Sequence, residues 1–433
     1  MLKGQFPVEK FASLRTPFYY YDLPLLRRTL DKIRECIEPY PQFHVHYAVK
    51  ANFNGRILQE ISRCGFGADC VSGGEVRAAL QNGFAPESIV YAGVGKSDEE
   101  ILLALDAGIA RFNVESAAEL EVINELALSR GVVAPVSLRV NPDIGAHTHA
   151  NITTGLAENK FGINYEQLPG VIELADSLPG VEYKGLHFHI GSQILEMDDF
   201  VALCNRINVL AEQILRQRRG RLVPAASSAA VVGYSSSAAG AAGAAGSGAV
   251  AGAAAGAAAG VAGAAASVLG DINVGGGLGI NYYHPNHLDV AEFSQYFETF
   301  ARHLKLPEGT TVHFELGRSV VAPCGSLISR VLYIKEGTTR RFAIIDASMT
   351  ELIRPALYKA YHRVENISSY EPEEVYDVVG PVCESSDVFA KGVSIDKCHR
   401  GDFIAIRSAG AYGESMSSQY NCRPLPACFF KED

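Results

Sequence analysis

The stretch Tyr47-Ala48-Val49-Lys50-Ala51-Asn52 ends a run of β-branched and aromatic residues, His44–Lys50, and a helical pattern, Gly55–Cys64, follows at once. A short strand feeding directly into a helix is one βα unit. The same unit recurs outward from it along the chain. Strand-like runs at Gly67–Val71, Ile89–Val94, Ala110–Val114, Val136–Val140, Gly185–Ile190, Asp271–Val274 and Thr311–Leu316 complete a set of eight. Helical patterns at Gly74–Asn82, Asp98–Ala107 and Ala117–Ser129 lie between them. Eight parallel strands, each followed by a helix, form the (β/α)8 TIM barrel of the α/β class. A doubly wound open sheet is the alternative, and the even spacing favours closure.

After residue 318 the rhythm changes to strands separated by turns: Ser326–Ile334, Arg341–Ile345, Glu374–Val379 and Asp402–Ile406. This predicts a separate β-rich domain, a barrel or sandwich, and the strand-like Phe18–Tyr21 is expected to join it. The expected division is a barrel over residues 30–309, with residues 1–29 and 310–433 forming the β-rich domain.

The 433 residues suffice for two domains, and 48% of them are apolar. A net charge of −10 argues against nucleic acid or an anionic membrane as partner. Nine scattered cysteines without a C-x-x-C pair suit reduced thiols in the cytoplasm. The opening MLKGQFPVEKF has neither the apolar core nor the cleavage site of a signal peptide.

Residues 224–268 are almost wholly Ala, Gly, Ser and Val, without charge. Too weakly apolar for a membrane span, they read as a flexible or partly helical insert. An engineered origin stays open, since connections in such barrels are short. The insert lies between the helix Asp198–Gln217 and the seventh strand, so it should emerge at the barrel's N-terminal face, opposite the chemistry.

Chemistry is expected at the C-terminal ends of the strands. Lys50 closes the first, where desolvation should lower its pKa and free its amine. The sixth ends in His187-Phe188-His189-Ile190-Gly191-Ser192, whose alternation puts both histidines on one side. The seventh runs into Gly275-Gly276-Gly277, bare amides able to cradle a phosphate. The eighth ends in Glu315-Leu316-Gly317-Arg318, an acid able to keep a pyridine nitrogen protonated and an arginine able to clamp an anion. The pairs His44/His46, His147/His149 and His187/His189 raise a metal site, which the placement of His44 and His46 well inside their strand disfavours.

With these residues in place, the chain resembles the alanine-racemase-type (fold type III) pyridoxal-phosphate decarboxylases, and within them the diaminopimelate decarboxylases. The motifs carrying the resemblance are YAVKAN (47–52), HFHIGSQ (187–193), INVGGGLGI (272–280), ELGR (315–318), LIRPALY (352–358), GPVCESSD (380–387) and GAYGESMSSQYN (410–421). The resemblance implies pyridoxal 5'-phosphate on Lys50, stacked by His189 and met at its ring nitrogen by Glu315. Ser192, Gly275–Gly277, Gly317, Arg318 and Tyr412 would complete the cofactor site. Arg318, Arg354, Tyr358, Glu384 and Tyr412 would take the substrate, and Cys383 would donate the proton after loss of carbon dioxide. It further implies a homodimer whose Cys383–Glu384 loop reaches the partner's site. The implied reaction converts meso-2,6-diaminopimelate to L-lysine. An ornithine- or arginine-type decarboxylase is the alternative, with a non-catalytic pyridoxal-phosphate carrier behind it. The resemblance departs at Leu316, where proline is usual, and at the Ala/Gly insert.

Overall fold

A computed structural model describes residues 6–142, 160–222, 269–284 and 290–432. Its parallel sheet contains β2 (Phe43–Ala48), β3 (Gly67–Cys70), β4 (Ile89–Tyr91), β5 (Arg111–Val114), β6 (Ala134–Asn141), β7 (Ile163–Asn164), β8 (Val181–His187), β9 (Asp271–Asn273) and β10 (Val312–Leu316). The two-residue β7 only extends the end of β6. The other eight close on themselves: β2 follows β10, and β5 pairs with β6, which leads through β8 and β9 back to β10. The eight expected strands are therefore the eight staves of a closed barrel, and the open-sheet alternative falls.

Local sequence explains the elements. Ser97 and Glu100 form a reciprocal capping box on the helix Asp98–Ala107, and Gly108 ends that helix in the left-handed conformation. Ser72 and Ser116 cap the helices Gly73–Gln81 and Ala117–Arg130 with their side chains. Phe43, Tyr296, Phe297, Phe300 and Phe314 pack largely edge to face between strands β2 and β10 and the helix Val290–His303.

The second sheet contains β1 (Phe18–Asp22), β11 (Gly325–Glu336), β12 (Arg341–Ile345), β13 (Val364–Asn366), β14 (Glu373–Val379), β15 (Val388–Asp396), β16 (Phe403–Ile406) and β17 (Ala427–Lys431). β11 pairs with β1, β12 and β16, while β1 also lies parallel to β17. The N-terminal strand thus belongs to the β-rich domain, as the sequence suggested. A small apolar core of Phe11, Phe18, Tyr20, Ile328, Ile367, Phe403 and Ala405 sits under that sheet.

The expected domain boundaries need correction. The seam at 309/310 cuts off β10, whose pairing with β2 and β9 makes it a barrel stave. The seam at 29/30 cuts through the single helix Leu23–Ile37. The insert 224–268 lies outside the described residues. The described chain leaves it at Leu222, the end of the helix Met197–Leu222, and returns at Leu269 just before β9. Both attachment points lie at the N-terminal end of the barrel, because helices run opposite to the strands they follow.

Candidate active site

At the C-terminal mouth of the barrel, β2 ends in a tight turn, Val49–Ala51, that carries Lys50. Two packing features fix this turn. A Cβ on Gly317 would lie 3.1 Å from the Cβ atoms of both Ala48 and Ala51, so β10 and the turn approach closely. The second domain locks the same turn, with Tyr412 donating its backbone N–H to Ala51 O at 2.8 Å and Asn52 donating to Gly410 O at 2.9 Å. Tyr412 itself adopts the left-handed conformation (φ 56°), uncommon for a side chain of its size.

The electrostatics around Lys50 reverse one expectation. Burial alone would depress its pKa, but Asp69, Tyr412 and Glu315 outweigh burial and raise it above the ordinary lysine value. Glu315, at the end of β10, is buried and made to stay ionised. Burial would raise its pKa, yet His187 and its other neighbours hold it far below the usual carboxylate range. Asn273 donates to its Oε1 at 2.8 Å and Asn113 at 3.3 Å, while His187 Nε2 lies 3.2 Å from its Oε2. Asp69 is the opposite case: burial and Glu315 push its pKa well above the usual range against the pull of Lys50. Its Oδ1 is buried without a hydrogen-bond partner among the described residues.

His189 follows β8, two residues beyond His187. Its Nδ1 accepts the Gly276 N–H at 3.3 Å, which leaves the ring proton of the neutral imidazole to Nε2. Burial, Lys50 and Arg139 hold its pKa well below the ordinary histidine value. The glycine run is required by backbone packing: a Cβ on Gly276 would lie 1.8 Å from Glu315 O, and Gly275 sits at φ +73° with its Cβ position 2.2 Å from Phe188 O. Two of its three amides serve the protein, Gly275 donating to Asn273 Oδ1 and Gly276 to His189. The Gly277 amide donates to no acceptor among the described residues.

Arg318 is buried at the edge of this cluster. It donates to Tyr282 Oη at 2.8 Å and to Ser192 Oγ at 3.0 Å, and its guanidinium lies over the Tyr412 ring. Its Nε is buried without a partner among the described residues. Arg354 donates to the same Tyr282 hydroxyl at 3.3 Å. Both arginines and Tyr358 line a cavity of about 390 Å³ with Gln193, Leu195 and Tyr282.

The structure therefore brings together Lys50, His189, Ser192, Gly275–Gly277, Glu315, Gly317, Arg318, Arg354, Tyr358 and Tyr412. It does not bring Cys383 and Glu384 to them. Both are exposed on the loop between β14 and β15, where Glu384 accepts from the Tyr420 hydroxyl at 2.6 Å. Asp69, Asn113, Asn273, Tyr282 and His362 escaped the sequence reading. The first three could have been found as polar residues in the last positions of barrel strands; no local signal marks the other two. Of the metal-type pairs, His44 and His46 lie toward the opposite end of the barrel, and His147/His149 lie outside the described residues. Among the described residues no cluster of His, Cys, Asp and Glu has metal-holding geometry.

Comparisons with known proteins identify the family. Residues 26–218 match the family described as pyridoxal-dependent decarboxylase, pyridoxal binding domain. A diaminopimelate decarboxylase of Bacteroides thetaiotaomicron is 53% identical over 432 residues, covering 100% of both chains. One from Zymomonas mobilis is 36% identical over 96% of this chain and 87% of its own. The crystal structure of diaminopimelate decarboxylase from Helicobacter pylori complexed with L-lysine superposes with a TM-score of 0.80 at 34% identity, over 98% of this chain and 94% of that one. Full-length similarity of this degree, on a barrel whose mouth carries the lysine, acid and paired arginines just described, means that the chain belongs to the diaminopimelate decarboxylase family of pyridoxal-dependent decarboxylases.

Proposed function

We propose that the protein carries pyridoxal 5'-phosphate on Lys50 and decarboxylates meso-2,6-diaminopimelate to L-lysine and carbon dioxide. The observation that carries the substrate is the pair of buried guanidiniums. Arg318 and Arg354 are 5% and 6% exposed and meet neutral partners, with no carboxylate on either among the described residues. Buried cations without counter-ions are costly, and two entering anions relieve the cost. A cofactor phosphate is one and a carboxylate remote from the reacting carbon is the other. Ornithine and arginine have no carboxylate beyond the one that leaves; diaminopimelate keeps a second.

The residues fit the cofactor. Arg318, its Nε orphaned among the described residues, Ser192 in contact with it and the Gly277 amide would supply donors to the phosphate, while Lys50 offers the amine and His189 a neutral ring for stacking. When bound, pyridoxal phosphate supplies an electron sink for the pair of electrons that departing carbon dioxide leaves behind. Glu315, kept anionic by its three donors, holds a proton on the ring nitrogen. Arg354 and Tyr358 orient the substrate through its distal carboxylate, with Tyr412 closing over Arg318. Breaking the bond between carbon and carboxylate leaves a carbon that takes up one proton, and the Cys383 thiol delivers it.

Because Cys383 and Glu384 stand exposed away from their own chain's cavity, we assign them to the site of a second subunit, which makes the enzyme a homodimer with shared sites. The exposed Leu195, Tyr283 and Tyr361 at the cavity rim support a covering partner. All nine cysteines are free, which supports a cytoplasmic location.

Carbon dioxide release with added pyridoxal phosphate, measured in parallel on meso-diaminopimelate, ornithine and arginine, tests the reading. Release from diaminopimelate alone, with lysine as product, is the expected result. Release only from ornithine or arginine would keep Lys50 and overturn the role of the arginine pair.

A further inference from the structure

His362 is buried behind the arginine pair, 1% exposed and absent from the cavity wall. Its two ring nitrogens have unequal partners. Nδ1 lies 2.9 Å from the backbone carbonyl of Arg407, and a carbonyl can only accept, so Nδ1 carries the proton. Nε2 is therefore a bare lone pair, and Arg354 Nε donates to it at 3.2 Å. The ring also meets that of Tyr282 edge to face, with centroids 5.0 Å apart.

These contacts decide how Arg354 can grip an anion. A guanidinium can hold a carboxylate side-on, through Nε and one Nη, or end-on, through both Nη atoms. His362 occupies Nε, and Tyr282 takes one hydrogen of Nη2. What remains for the cavity is the end-on fork, already oriented. Resting on the reading of diaminopimelate as substrate, we propose that His362 is a positioning residue that selects the end-on presentation of Arg354 and so sets the enzyme's preference for a ligand with a distal carboxylate. His362 touches no substrate; it acts through Arg354. The Arg407 carbonyl fixes the tautomer, so the backbone leading out of β16 is the ultimate reference for the grip.

Two near-isosteric substitutions separate the nitrogens. Asn at 362 can replace the donor at Nδ1 but reaches no acceptor to Arg354. Gln can place an acceptor where Nε2 stood. The experiment uses the holoenzyme, measuring kcat and KM on meso-diaminopimelate and, by calorimetry, binding of L-lysine against cadaverine, which differ only in the carboxylate. His362→Asn is expected to raise KM about tenfold or more with kcat changed less than about threefold, and to shrink the preference for L-lysine over cadaverine by a similar factor. His362→Gln is expected to restore most of both. An unchanged preference in His362→Asn would overturn the proposal. Equal losses of kcat and affinity in both variants would overturn it too, since a purely structural role predicts no rescue. Should the wild-type enzyme fail on diaminopimelate, the substrate reading falls, and the calorimetric preference still decides whether His362 governs carboxylate recognition.

Discussion

Glu315 and His187 face each other inside the barrel mouth with 3.2 Å between Oε2 and Nε2, both almost fully buried. The contact joins the ends of two strands, β10 and β8, that are not adjacent in the sheet, with β9 and its Asn273 between them. The carboxylate is therefore supported from two strands at once and from Asn113 on the far side of the barrel. Replacing the charge while keeping the shape tests what this support is for. Glu315→Gln is expected to retain the cofactor, as read by its absorbance, while kcat falls about a hundredfold. Full turnover in that variant would remove Glu315 from the mechanism.

The assignment of Cys383 to a neighbouring subunit makes a quantitative prediction. Lys50→Ala and Cys383→Ala should each be nearly inactive alone. Mixed in equal amounts under exchange conditions, half the dimers hold one intact site, giving about a quarter of wild-type activity. If the mixture stays inactive although subunits exchange, Cys383 works within its own chain.

Acid should weaken the fold through buried neutral histidines. Burial and His313 hold His46 down at about 3, and burial and Arg354 hold His362 down at about 3. In the unfolded chain each binds a proton near the ordinary histidine value, so stability is full above that value and falls as pH drops toward the folded pKa. Each group costs about 2 kcal/mol by pH 5. Melting temperatures at pH 7.5 and pH 5 should therefore differ less in His46→Asn than in the wild type. Equal differences in the two proteins would show that His46 is not among the groups responsible.

The glycine run gives a steric prediction with an internal control. Gly276→Ala would drive a methyl group into Glu315 O, 1.8 Å away, whereas a Cβ on Gly170 meets nothing within 4 Å. The first substitution should lower the melting temperature by several degrees and weaken cofactor retention; the second should leave both within error. A Gly276→Ala enzyme with normal cofactor content would mean that β10 can shift without disturbing the site.

Removing residues 224–268 and rejoining the flanks with a short linker should leave kcat/KM within about twofold, since the attachment points lie at the end of the barrel away from Lys50. A well-folded but inactive deletion would tie this segment to the chemistry.

The barrel was legible because each strand is a short apolar run abutting a helical period, and that alternation survives in the sequence from His44 to Leu316. The domain seam was less legible because it depends on pairing: β10 reads like any other strand, and only its hydrogen bonds to β2 and β9 put it in the barrel. Lys50, Glu315 and the glycines announced themselves at strand ends. Lys50's charge state did not, because it depends on Asp69 and Tyr412, brought in from another strand and another domain. Tyr282 and His362 gave no local signal either. Their roles rest on contacts with Arg318 and Arg354 that exist only once both domains have met.

The pairing of β1 has a bearing on how the chain is made. Phe18–Asp22 leaves the ribosome before the barrel, yet one neighbour, β11, follows the whole barrel and the other, β17, is later still. Throughout synthesis of the barrel an aromatic strand waits with both edges bare, a state prone to mispairing. Residues 319–433 expressed alone would lack the strand that joins β17 to β11, and supplying Phe18–Asp22 as a separate peptide should restore that link.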